Sequence, residues 1–222
     1  MKFLLTSGGL TNQSIADALF DLLGKKAKDT SISFIPTAMN AVSGDKGWFI
    51  DDLANIKKQG VKSIDIVDIS ALPKEVWGPR LEVADVLFFS GGNTSHLMRC
   101  IKDSGLEELL PELLKTKVWA GISAGSMVTN PTLALSSKDK KIYYEEAFGY
   151  KSEEALGFVD FYVRPHFGSA DFPHANKEYL NQVAKEISAT IYALDDQSAL
   201  KVNSDKLEVI SEGKFLVFNP KS

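Results

Sequence analysis

At 222 residues the chain is long enough for one sizeable hydrophobic core and short for two, so a single domain over residues 1–222 is expected. Its 44% hydrophobic and 24% charged residues exclude extensive disorder, and 25 basic against 29 acidic side chains, a net charge of −4 with no basic block, exclude a nucleic-acid partner. The single cysteine, Cys100, excludes an internal disulfide and a cysteine-rich zinc site and fits a cytoplasmic setting.

The opening MKFLLTSGGL holds only three consecutive apolar residues, Phe3 to Leu5, too few for a secretory leader. Its segment Lys2 to Ser7 reads instead as a strand. NQSIADALFDLLGKK follows with Ile15, Leu19, Leu22 and Leu23 at helical spacing, and then comes a strand at Ser31 to Pro36. GWFIDDLANIKKQG repeats the helical pattern through Phe49, Leu53 and Ile56 and stops at Gly60. Strands are expected next at Ser63 to Asp68, Asp85 to Ser90 and Lys117 to Ile122, with a helix starting near Thr94. This alternation predicts an α/β fold whose mainly parallel sheet is sandwiched by helices. FVDFYVRP reads as a further strand-like run, and Asn176 as the cap of a helix. From residue 190, short alternating runs divided by Asp195-Asp196, Asn203-Ser204-Asp205 and Glu212-Gly213 predict a C-terminal antiparallel meander. Nothing approaches the ~20 apolar residues of a membrane span, so no membrane partner is expected.

Ligands of such sheets bind beyond the carboxyl ends of the strands. Two conspicuous segments fall there. SGGN, Ser90 to Asn93, ends one strand, and GISAGSMV, Gly121 to Val128, ends another with Ser123 between glycines in G-x-S-x-G order. That string alone arises by chance in roughly a tenth of chains of this length, so its weight comes from the strand-turn-helix context. There Ser123 would stand on a sharp turn, with the Ala124 N–H and an N–H from Gly92 available to an oxyanion. A hydroxyl needs a base. Of the three histidines, His96 reads as a helix-start or packing residue and His174 as a loop residue. His166 ends the strand-like run behind Pro165 and is the candidate base.

Together, GGNT at Gly91 to Thr94, GISAGSMV, and RPHF at Arg164 to Phe167 resemble peptidase family S51, the serine peptidases typified by dipeptidase E and including the cyanophycinases. The likeness covers nearly the whole chain. It implies a fold related to class I glutamine amidotransferases, a Ser123 nucleophile, a His166 base, oxyanion donors at Gly92 and Ala124, and no metal or organic cofactor. The substrate it implies is a small peptide, with dipeptides bearing an N-terminal aspartate as the family's case, and the leading expectation is cleavage through an acyl-enzyme; the chain itself is expected to be a monomer or homodimer. In the family the triad acid lies between serine and histidine. Asp139 is preferred for it, with Glu145 or Glu146 as alternatives, and Asn93 and Arg164 are candidate substrate contacts. Two other functions stay open: a small esterase, though α/β-hydrolases place their histidine near the C-terminus, and a catalytically degenerate binding module on the same scaffold.

Overall fold

The computed structural model describes residues 1–136 and 138–221. Its first half alternates strands and helices: β1 (Lys2–Thr6), α1 (Gln13–Leu23), β2 (Ser31–Ile35), α2 (Thr37–Asn40), α3 (Gly47–Lys58) and β3 (Ser63–Ile66). Then come α4 (Lys74–Glu82), β4 (Val86–Phe89), α5 (Thr94–Asp103), α6 (Leu106–Leu113), β5 (Val118–Ile122) and the single turn α7 (Ala124–Met127). The second half holds α8 (Lys138–Phe148), β6 (Tyr162–Arg164), α9 (Lys177–Val183), β7 (Ile191–Leu194), β8 (Ser198–Asn203), β9 (Lys206–Ser211) and β10 (Phe215–Phe218).

Among the described residues the larger sheet has strand order β3-β2-β4-β5-β1-β8-β9. Its first five strands are parallel, and β8 and β9 extend it antiparallel beside β1. Side chains alternate across it, as the two-residue period of a strand requires. Phe3, Leu5, Leu87, Phe89 and Trp119 face one helical layer, and Leu4, Val86, Phe88, Val118 and Ala120 face the layer of α1 and α3. Helix α1 shows how locally the sequence writes these elements. Asn12 caps it by accepting from the Ile15 N–H at 2.9 Å, its buried stripe is Ile15, Leu19 and Leu22, and Gly24 ends it in the left-handed conformation at φ 65°.

The C-terminal strands pair antiparallel as expected, β8 with β9 and β7 with β10, but not as one continuous meander. They divide between two sheets, β8 and β9 joining the large one while β7 lies between β10 and β6 in a small one. Hydrophobic alternation specifies that each run is a strand and which face is apolar, but not which edge it joins. Here Met127, Tyr162, Leu180, Ile191, Ala193 and Phe218 form a separate core beneath α9, which removes β7 and β10 from the main sheet. Within the small sheet β6 and β7 run parallel, Tyr162 opposite Ile191 and Arg164 opposite Ala193. The residues that follow these two strands therefore emerge side by side.

Candidate active site

Strand β5 ends at Ile122 and the chain reverses at Ser123 with φ 47° and ψ −101°, a conformation that costs energy for any residue with a Cβ. The flanking glycines are required by space. A Cβ on Gly121 would stand 2.4 Å from the Gly125 carbonyl, and one on Gly125 would stand 2.3 Å from the Phe89 carbonyl oxygen. Hydrogen bonds hold the turn from below. The single O–H of Ser126 is shared between the carbonyls of Thr6 and Gly121, each 2.8 Å from its Oγ, and Trp119 Nε1–H donates to the Gly125 carbonyl at 3.0 Å. The turn is thereby tied to β1 and to β5.

His166 reaches this serine from the small sheet, also with left-handed backbone, φ 61°. Its Nε2 lies 2.8 Å from Ser123 Oγ and its Nδ1 lies 2.8 Å from Asp196 Oδ1. Because a carboxylate only accepts, Nδ1 carries the hydrogen and Nε2 is left to accept from the serine hydroxyl. The ring stacks on Phe172, centroids 4.0 Å apart, and the His166 N–H donates to Ser7 Oγ at 2.8 Å. Ser7 in turn donates to Asp196 Oδ1 at 2.6 Å, so one hydroxyl braces both partners. Burial alone would raise the Asp196 pKa. The hydrogen bond to His166, its charge and the Ser7 hydroxyl outweigh that and hold the carboxyl below its usual range, so it is ionised at neutral pH.

The carboxylate on His166 is thus not among those singled out in the sequence. Glu145 and Glu146 are exposed on α8, and Glu145 lies 3.6 Å from Lys151. The side chain of Asp139 lies outside the described residues. Asp196 stands two residues beyond the end of β7, and the parallel pairing of β6 with β7 brings it beside His166; Phe167 N–H donates to the carbonyl of Leu194, the last residue of β7, at 2.8 Å. Its signal in the sequence was a carboxylate at the end of an apolar strand, the placement already noted for SGGN and GISAGSMV, but Asp195-Asp196 read there as a turn.

Gly92, at φ 141°, approaches the backbone so closely that a Cβ would stand 2.2 Å from the Ala38 carbonyl oxygen. Among the described residues neither its N–H nor that of Ala124 meets an acceptor. Asn93 does not face outward as a ligand. It is 1% exposed, caps α5 by accepting from the His96 N–H at 3.0 Å, and donates to the Lys140 carbonyl at 3.1 Å. His96 packs against Tyr144, as its reading as a packing residue expects, with Nδ1 2.9 Å from the phenol oxygen. Arg164 is buried, donating to the Leu135 carbonyl at 3.2 Å, while its Nε has no partner among the described residues. Burial draws its pKa down to about 10, which leaves it charged at pH 7. Lys140 joins it, with Nζ 2.9 Å from the Gly92 carbonyl and 5.5 Å from the Phe172 ring centroid, its pKa lowered first by burial and then by the Arg164 charge.

One further buried charge borders the site. Asp52 on α3 is 8% exposed, and burial, followed by the charges of Asp51 and Asp196, raises its pKa to about 7. A carboxyl whose folded pKa exceeds its unfolded value of ~3.9 loses stability for the fold as pH rises through that interval. An Asp52→Asn variant is therefore expected to match the wild type in thermal stability near pH 4. Its advantage should widen up to pH 7, to as much as about 4 kcal/mol, and stay level above. Melting curves across pH check this, and a constant difference would reject it.

The chain is similar to known proteins over most of its length. The model of "Peptidase family S51" matches residues 3–210. An uncharacterized peptidase of Pasteurella multocida is 26% identical over 192 residues, covering 86% of this chain and 89% of that protein. The peptidase E of Nostoc sp. is 24% identical over 204 residues, covering 89% and 78%. A crystal structure of a candidate peptidase E protein from Listeria monocytogenes EGD-e has the same fold, with a TM-score of 0.77, 22% identity and coverage of 96% and 98%. With a family match over nearly its whole length, the chain belongs to peptidase family S51.

Proposed function

We propose that this peptidase works through a Ser123–His166–Asp196 triad. The observation that carries the reading is the continuous chain from Ser123 Oγ through both His166 ring nitrogens to Asp196 Oδ1, 2.8 Å at each link. Ser123 Oγ attacks the scissile carbonyl carbon while His166 Nε2 takes its proton. The carbonyl oxygen becomes an oxyanion facing the N–H groups of Gly92 and Ala124. Collapse of the intermediate breaks the C–N bond, and His166 delivers the same proton to the departing amine. Water, losing a proton to His166 Nε2, then attacks the acyl carbon, and as the bond to Ser123 Oγ breaks His166 gives that proton to the serine oxygen. Asp196 stays ionised throughout, fixing the imidazole tautomer and stabilising the imidazolium.

Small peptides with an acidic N-terminal residue are the proposed substrates. Lys140 and Arg164 support this: two cations withdrawn from solvent that, among the described residues, form no ion pair with a carboxylate. They stand against Gly92 and Leu135 near the serine, where an acidic side chain would supply their missing countercharge. A degenerate binding module would not need an intact Ser–His–carboxylate chain. The test is labelling by a fluorophosphonate, expected for the wild type and lost in Ser123→Ala, alongside turnover of a dipeptide library. Absence of labelling in folded protein, with no dipeptide hydrolysed, would reject the reading.

A further inference from the structure

Helix α3 presents two side chains, one turn apart, to the strand ends on either side of Ser123. A Cβ on Gly91, at the end of β4, would stand 3.6 Å from both Trp48 Cζ3 and Ser123 Cβ, so the indole covers that flank of the serine. A Cβ on Gly9, after β1, would stand 3.2 Å from both Asp52 Oδ1 and Ile122 Cδ1, so the carboxylate occupies the other flank, beside the residue that precedes the serine. Gly9 has φ 84°, and its lack of a side chain leaves this approach open.

Asp52 has no role in the fold that explains its burial. More than nine-tenths of it is removed from solvent, yet among the described residues no donor hydrogen-bonds to it and no cation pairs with it. The charged groups facing it are themselves acidic, Asp51 on its own helix and Asp196 from the turn after β7, and its pKa is raised accordingly. A buried carboxylate without donors is costly, and a ligand that brings N–H groups and positive charge removes that cost on binding. Near a nucleophile that attacks a peptide carbonyl, the group of that chemistry closest to the reacting carbon is a free α-ammonium, separated from it by a single carbon.

We propose that Asp52 receives the free α-ammonium of the substrate's N-terminal residue, so that the enzyme removes N-terminal residues and rejects acylated amines. The proposal rests on the peptidase reading of Ser123. It makes Asp52 a specificity-determining residue and not a participant in bond cleavage. Lys140 and Arg164 then complete a site that carries both signs of charge, fitting an N-terminal residue with an ammonium and an acidic side chain.

The test measures binding and turnover separately. Aspartyl-leucine and alanyl-leucine, free and N-acetylated, are titrated calorimetrically against Ser123→Ala and Ser123→Ala/Asp52→Asn, and kcat and KM are measured for the pair retaining Ser123. Acetylation is expected to weaken binding to the Ser123→Ala protein, which keeps Asp52, by about 30-fold. In the Asp52→Asn background the free peptide should bind more weakly by a similar factor and acetylation should change nothing further, with the loss appearing in KM more than in kcat. A wild type that treats free and acetylated peptides alike, a preference that survives Asp52→Asn, or no binding of either peptide overturns the proposal. Failure of wild-type labelling at Ser123 would instead overturn the triad, and an ammonium preference lost with Asp52 would still stand.

Discussion

An Asp196→Asn variant is expected to fold normally and to lose about three to four orders of magnitude in kcat. The amide keeps the shape of the carboxylate but can offer its NH2 to His166 Nδ1. That stabilises the tautomer whose Nε2 carries the hydrogen, which cannot accept from Ser123 Oγ, and it removes the negative charge facing the imidazolium. The loss should fall on kcat with KM little changed, because Asp196 contacts the histidine and not the substrate. Asp139→Asn, Glu145→Gln and Glu146→Gln should leave kcat within about threefold. If one of these abolishes turnover while Asp196→Asn does not, the assignment of the acid is wrong. Ser7→Ala should cost less, about tenfold, through looser positioning alone, since its hydroxyl bridges the His166 N–H and Asp196 Oδ1.

Replacing Gly125 by alanine should damage both the fold and the site. The added methyl carbon would stand 2.3 Å from the Phe89 carbonyl oxygen and 2.8 Å from its carbon, and both belong to the backbone of a buried strand that cannot swing aside as a surface side chain does. Relief requires the serine turn to lift from the end of β4, stretching the Trp119 Nε1 hydrogen bond to the Gly125 carbonyl and moving Ser123 relative to Gly92. A stability loss of about 3 kcal/mol, a fall of some ~10 °C in Tm, is expected together with a loss of turnover of at least about a hundredfold. Gly24→Ala is the control. Its Cβ meets nothing within 4 Å, so the cost is the left-handed φ of 65° alone, ~1 kcal/mol, with turnover unchanged. Equal effects at the two positions would show that conformational freedom, and not the close approach to Phe89, is what the serine turn demands.

Both outcomes bear on how the site is stored in the chain. Local rules wrote the parallel layer: apolar runs such as VLFF, buried on every residue, became strands, and the helices between them were legible from spacing, caps and terminal glycines. The serine turn was legible for the same reason, since its glycines and its place after an apolar strand are neighbours in sequence. His166 was legible more weakly, through a strand-like run and a proline. In the structure that run delivers it from the small sheet and not from the main one.

The carboxylate that meets His166 was not legible, although Asp196 sits just beyond β7. Short-range periodicity and backbone sterics act within a few residues, which is why the α/β class, the strand ends and the turns that hold Ser123 and His166 could be read directly along the chain. That β7 pairs in parallel with β6, away from the strands that follow it, and so brings Asp196 to His166, is set by long-range packing. The same packing lays Trp48 and Asp52 of α3 against the glycines that follow β4 and β1, the strands on either side of β5. Such contacts join residues far apart in the chain, and they are chosen by which apolar faces bury one another, a competition among all elements that no single segment encodes.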